Sequence, residues 1–251
     1  LAAAVVTPGV VAISSVLLGG ALPSAAASIS YTPQGNVVSI SPTSDDDGYV
    51  TITANGTVSA YGDATFASAP GGSSPVVGIV QVGDAGDSDE GFWTVSADGG
   101  VFSVGGVSFF GSMGGHVLDA PIVGMAATPD DQGYWLVASD GGVFSFGDAS
   151  FYGSMGGQSL DAPIVGMATS PDGKGYWLVA SDGGVFSFGD ASFYGSMGGK
   201  SLDAPVVGMA ASSLGGYWLV AADGGVFSFG AAPFIGSMGG KALNAPVSGI
   251  A

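Results

Sequence analysis

An all-β fold assembled from repeats is what this 251-residue sequence predicts, and three observations predict it. A tryptophan landmark recurs at Trp93, Trp135, Trp177 and Trp218, with Val50 in its place once, at spacings of 43, 42, 42 and 41 residues. Each period holds four short apolar runs, in the third copy Ile122 to Ala127, Tyr134 to Ser139, Val143 to Phe146 and Ser150 to Ser154. Each run has strand length and is closed by Gly, Pro, Asp or Ser. The chain also carries 47 glycines without a Gly-X-Y period, against a usual share of roughly 7%, which suits many tight turns between short strands. A period near 42 with four strands falls in the range of propeller blades. The expectation is a β-propeller of about five four-stranded blades plus one extra strand, with a β-solenoid or open repeat array as the alternative.

Taken in order, residues 1–30 carry no charge. The apolar stretch Val10 to Leu22, followed by Ala25-Ala26-Ala27, has the pattern of an export signal's apolar region and small-residue cleavage site. Pro8, Gly9, Gly19, Gly20 and Pro23 argue against a straight membrane-spanning helix. The segment is therefore expected to be an export signal or a retained anchor or assembly segment, and it is the one expected route to a membrane. Residues 31–251 form the repeat domain, with blades at about 36–75, 76–120, 121–162, 163–204 and 205–245. "APVSGIA" then starts a sixth copy, leaving the extra strand at 246–251.

The turn between the second and third runs is the strongest local signal. It reads Asp98-Gly99, Asp140-Gly141, Asp182-Gly183 and Asp223-Gly224, and Asn55-Gly56 in the faded first copy. Such pairs accept positive φ at both centres of a type I′ hairpin turn. Exchange of Asp for Asn keeps the backbone chemistry and discards the charge, which points to a turn and away from a catalytic or metal-binding carboxylate.

The second and third runs are apolar on both faces, since Trp135 and Val137 alternate with Tyr134, Leu136 and Ala138. Strands of that kind belong to a sheet packed between two others, so Trp93, Trp135, Trp177 and Trp218 are expected in the core between sheets.

The run "GYWLVASDGGVFSFGDASFYGSMGG", followed by "LDAPIVGMA", resembles the repeat of large exported actinobacterial proteins, where similar copies occur beside wall-active or hydrolytic domains. The resemblance covers residues 76–251 clearly and 36–75 weakly. It implies a propeller-like exported module, secreted or at the cell surface, and it transfers no catalytic residue.

Charge narrows the partners. Twenty acids face three lysines and no arginine, for a net charge of −17. Nucleic acid and anionic membrane surfaces, which bind through Lys and Arg, are excluded as expected partners. There is no cysteine and a single histidine, His116, whose place in the other copies is held by Ser73, Gln158, Lys200 and Lys241. Ser-His-Asp, Cys-His and His-rich metal sites therefore have nothing to be built from. Carboxylate-pair glycosidase chemistry is the weakest of three functional readings, with Asp148, Asp190, Asp119, Asp161 and Asp203 as its candidates. Two acidic runs, Asp45–Asp47 and Asp84–Glu90, suit a loose Ca²⁺ in residue type but lack the spacing of a calcium loop. No cofactor is expected.

What remains is a non-enzymatic module that recognises a cell-surface glycan or protein through repeated loops. Gln158, Asp161, Lys200, Asp203 and Lys241 are its loop candidates. The alternative is a structural subunit that assembles with copies of itself, its apolar N-terminal segment buried in the filament or surface layer.

Overall fold

A computed structural model of the chain describes residues 4–6, 36–43, 47–64, 69, 72–83 and 90–251. Among these residues there are seventeen strands and no helix. Strand β1 (Ala4–Val6) stands apart in sequence. The first sheet is β2 (Val37–Pro42), β3 (Tyr49–Thr53) and β4 (Val58–Tyr61). The second is β5 (Val76–Val82), β6 (Gly91–Ser96) and β7 (Val101–Gly105). The third is β8 (Ile122–Ala127), β9 (Gly133–Ala138) and β10 (Val143–Gly147). The fourth is β11 (Ile164–Thr169), β12 (Gly175–Ala180) and β13 (Val185–Gly189). The fifth is β14 (Val206–Ala211), β15 (Gly216–Ala221) and β16 (Val226–Gly230), after which β17 (Val247–Ile250) pairs antiparallel with β1. Residues 1–3 and 7–30 of the apolar segment lie outside the described residues.

All five sheets are antiparallel with the second strand in the middle. They have three strands, not the four expected. The fourth apolar run makes no ladder because its polar backbone atoms are taken elsewhere. Trp135 Nε1 donates to Ser150 O at 2.8 Å, and the Tyr176 hydroxyl of the next sheet donates to Gly153 O at 2.6 Å. Gly153 also sits at φ +134°, outside the strand region, and a Cβ there would meet the Phe188 ring at 2.7 Å. The run is thus an extended segment wedged in the seam between two sheets.

The middle strands of the second to fifth sheets are buried along their whole length, whereas the third strands are half-buried. The three seams between the second and fifth sheets are filled by aromatic pairs from consecutive sheets, and the seam between the first and second by Val50, Ile52, Val76, Ile79 and Phe92. Ring centroids lie 5.1 Å apart for Trp93 and Tyr134, 5.7 Å for Trp135 and Tyr176, and 5.4 Å for Trp177 and Tyr217. Truncating such a ring costs on the order of 3–5 kcal/mol. Backbone bonds cross the same seams, as where Ile164 N donates to Ser139 O and Val206 N to Ser181 O.

The first strands sit at the centre. β2 lies beside β5, β5 beside β8, β8 beside β11, β11 beside β14, β14 beside β17 and β17 beside β2, so the contacts return to their start. Each complete sheet has a bulge at the second residue of its first strand, Val38, Val77, Val123, Val165 or Val207. A bulge sharpens local twist and re-aims a side chain. These five valines line a cavity of about 190 Å³ among the six first strands. A Cβ on Gly166 would lie 3.9 Å from the Gly208 Cα, and one on Gly208 3.6 Å from the Gly249 Cα.

Candidate functional site

The hairpin turns position the loops around them. Ala138 N donates to Gly142 O at 2.8 Å and Gly141 N to Ala138 O at 2.9 Å, with Gly141 at φ +81°. No aspartate or asparagine of these turns has positive φ. The turn is therefore type I followed by a left-handed glycine bulge, and the type I′ expectation is corrected. The side chain contributes an acceptor: Asp140, Asp182 and Asp223 Oδ1 receive the N–H two residues on at 2.9, 2.8 and 2.9 Å. Asp98 does the same toward Gly100 at 3.1 Å, and Asn55 toward Thr57 at 3.2 Å. An amide oxygen serves this bond as a carboxylate oxygen does. At Asp98 the Ser96 hydroxyl, and then the Gly100 N–H, hold the carboxyl below its ordinary range. Gly56, Gly99, Gly183 and Gly224 share the left-handed conformation of Gly141.

The glycine-rich loop that ends each repeat folds back onto this turn, since Met155 N donates to Gly141 O and Met197 N to Gly183 O, both at 2.9 Å. Lys200 and Lys241, with Gln158, sit on the small turns that follow and are exposed, as is His116. Asp161 and Asp203 are exposed just before the next sheet. Of these candidates Asp203 lines a groove of about 250 Å³, where it is joined by Asp223, Ser201, Ser237 and Phe227.

A second groove, of about 310 Å³, opens at the opposite end of the sheets, lined by Asp130, Trp135, Asp148, Tyr152 and Asp172. The Thr128 hydroxyl and the Gln132 N–H hold the Asp130 carboxyl below its ordinary range; the Lys174 N–H and the Ser170 hydroxyl do so at Asp172. Ser170 Oγ lies 2.9 Å from Asp172 and 3.4 Å from Asp190, so these two carboxylates share one hydroxyl. A general acid needs its pKa raised, the opposite of what holds at Asp130 and Asp172. Asp148 and Asp161 stand at opposite ends of a sheet, separated by the length of a five-residue strand, ~16 Å, beyond the ~5–9.5 Å of a glycosidase pair. The central cavity contributes no charged side chain to either groove, its polar side chains being Ser39, Ser41 and Ser248.

Among the described residues, no three His, Cys, Asp or Glu side chains converge as a metal site requires. Of the two acidic runs only Asp47 and Glu90 are described, and both have partners; Asp45, Asp46, Asp84, Asp87 and Asp89 lie outside the described residues.

The feature that sequence reasoning missed is on the outer segments. Phe109, Phe151, Phe193 and Phe234 are 58%, 60%, 60% and 64% exposed, one per repeat. In three copies the next residue, Phe110, Tyr152 or Tyr194, packs against the aromatic seam; in the last copy the next residue, Ile235, is exposed as well. Adjacent residues of an extended segment point to opposite sides, so the pairs Phe-Phe, Phe-Tyr and Phe-Ile require one apolar side chain outward. That adjacency was the available signal. The four tryptophans, by contrast, are 0%, 0%, 3% and 6% exposed and donate their indole N–H inside the fold.

No family model matches the chain, and no curated protein is significantly similar to it.

Proposed function

We propose that the five sheets and β17 form a toroidal, propeller-like body, and that the protein is an exported, non-enzymatic recognition module acting outside the cell or at its surface. One observation carries the reading: the row of exposed phenylalanines Phe109, Phe151, Phe193 and Phe234, repeated with the period of the fold. Burying one such ring against a partner is worth about 1.5–3 kcal/mol. Four such weak sites on one body add avidity without any deep pocket.

The partner is a cell-surface glycan or protein, and charge selects among glycans. A net charge of −17 repels anionic polymers, so neutral repetitive polysaccharides, whose sugar faces stack on aromatic rings, fit best. The carboxylates of the two grooves can serve as hydrogen-bond acceptors for the hydroxyl groups of such a polymer.

The test is binding of the purified protein to a glycan array and to insoluble neutral polysaccharides, beside a variant with all four phenylalanines changed to alanine. Single changes should weaken binding a few-fold and the fourfold change by ~100-fold or more, with folding unaltered. Equal binding by the fourfold variant would refute the reading.

A further inference from the structure

Every complete sheet pairs its first two strands in one register. In the fourth sheet Ile164 pairs with Ala180, Gly166 with Val179 and Met167 with Leu178, with Val165 as the bulge. β17 and β1 repeat it: Val247 pairs with Val6, Gly249 with Val5 and Ile250 with Ala4, and Ser248 is the residue passed over. Val5 thus stands where Ile52, Val95, Val137, Val179 and Val220 stand, a β-branched residue in every case.

The sequence beyond β1 keeps the same count. Gly9 follows Val5 by the interval that separates Gly183 from Val179, and Val11 falls where Val185 opens the third strand. Residues 7–11 lie outside the described residues, and the match there is one of sequence. Pro8 departs from it, standing in the aspartate's place without a carboxylate.

We infer that β1 is the second strand of a sixth sheet whose first strand is β17, so that the ring is clasped by a sheet drawn from the two ends of the repeat array. β17 lies between β14 and β2, and its outer edge is an open row of backbone donors and acceptors that a strand covers. Residues 4–6 then belong to the fold itself, where the sequence alone offered an export signal or a retained anchor or assembly segment. The outer end of the fifth sheet differs from the others: Ile235 is 59% exposed, and a Cβ on Gly236 would meet nothing within 4 Å, whereas Gly111, Gly153 and Gly195 each abut a phenylalanine ring of the following sheet.

The inference rests on the toroidal reading and is independent of the ligand. The chain has no cysteine, so Val5→Cys with Gly249→Cys introduces a single pair, and Gly249 has open space for a Cβ. Gly166→Cys with Val179→Cys is the same pair of positions in the fourth sheet and serves as control. The expected result on mild oxidation is an intramolecular disulfide in the monomer, with the unfolding midpoint raised by at least ~5 °C. Covalent multimers would overturn the clasp in favour of strand donation between copies; absence of a crosslink where the control forms one would overturn it altogether. Failure of the toroidal reading would show separately, as an elongated particle in small-angle scattering.

Discussion

The Tyr176 hydroxyl donates to Gly153 O at 2.6 Å and accepts from Tyr152 N at 3.2 Å, so one phenol of the fourth sheet satisfies two backbone groups of the third repeat's outer segment. Tyr134 and Tyr217 make the same pair of bonds across their own seams. This is how Phe109, Phe151 and Phe193 are held in place without a fourth strand.

Tyr176→Phe should therefore cost about 1–3 kcal/mol, the penalty for a carbonyl and an N–H left without a partner in a seam. Tyr194→Phe, at an exposed ring, should stay within ~0.5 kcal/mol. Urea denaturation of the two variants decides it, and equal losses would show that the phenol bridge contributes nothing.

At the hairpin turns the charge should matter little and the glycine a great deal. Asp140→Asn keeps the oxygen that accepts from Gly142 N and should shift stability by less than ~0.5 kcal/mol. Gly141→Ala places a Cβ 2.5 Å from that of Met155 at φ +81° and should cost ~2 kcal/mol or more. Thermal unfolding that ranks the two in the reverse order would restore a role for the carboxylate.

Alkaline pH should loosen the seams. Burial raises the phenols of Tyr134, Tyr176 and Tyr217 above their ordinary value of about 10. The folded state keeps protons that the unfolded chain releases, so this stabilisation is complete below the unfolded value and is lost as pH rises through the folded ones. The urea midpoint should fall steeply above about pH 10 and recover on back-titration. A midpoint unchanged across that range would show that the phenols are not held as described.

Much of the fold was legible because each repeat states it again. The Trp period, the run lengths and the Asp-Gly turns located fifteen of the strands to within a residue or two, as Val143–Gly147 and Gly175–Ala180 show. The fourth strand was not legible. Ser150 to Ser154 has strand composition, but its backbone bonds go to the Trp135 indole and to the Tyr176 phenol, which lies in the next repeat. The same non-local contact hid the candidate site. Phe151 and Tyr152 look alike in composition, and which of them faces water depends on the neighbouring sheet. Nor could the sequence show that Val5 reproduces the pairing of Val179, since Ala4 to Val6 share no motif with Leu178 to Ala180 beyond one valine.

Distances along the phenylalanine row test the central claim most directly, that the repeats close into a ring and present these positions on its outside. Spin labels at cysteines replacing Phe109 and Phe193, and in a second sample Phe109 and Phe234, can be read by pulsed electron resonance because the chain has no native cysteine. A six-position ring predicts that the second distance exceeds the first by a factor of roughly 1.2, whereas a straight stack of repeats requires roughly 1.5. A ratio near the lower value supports the ring and the row it carries. A ratio near the higher one contradicts both.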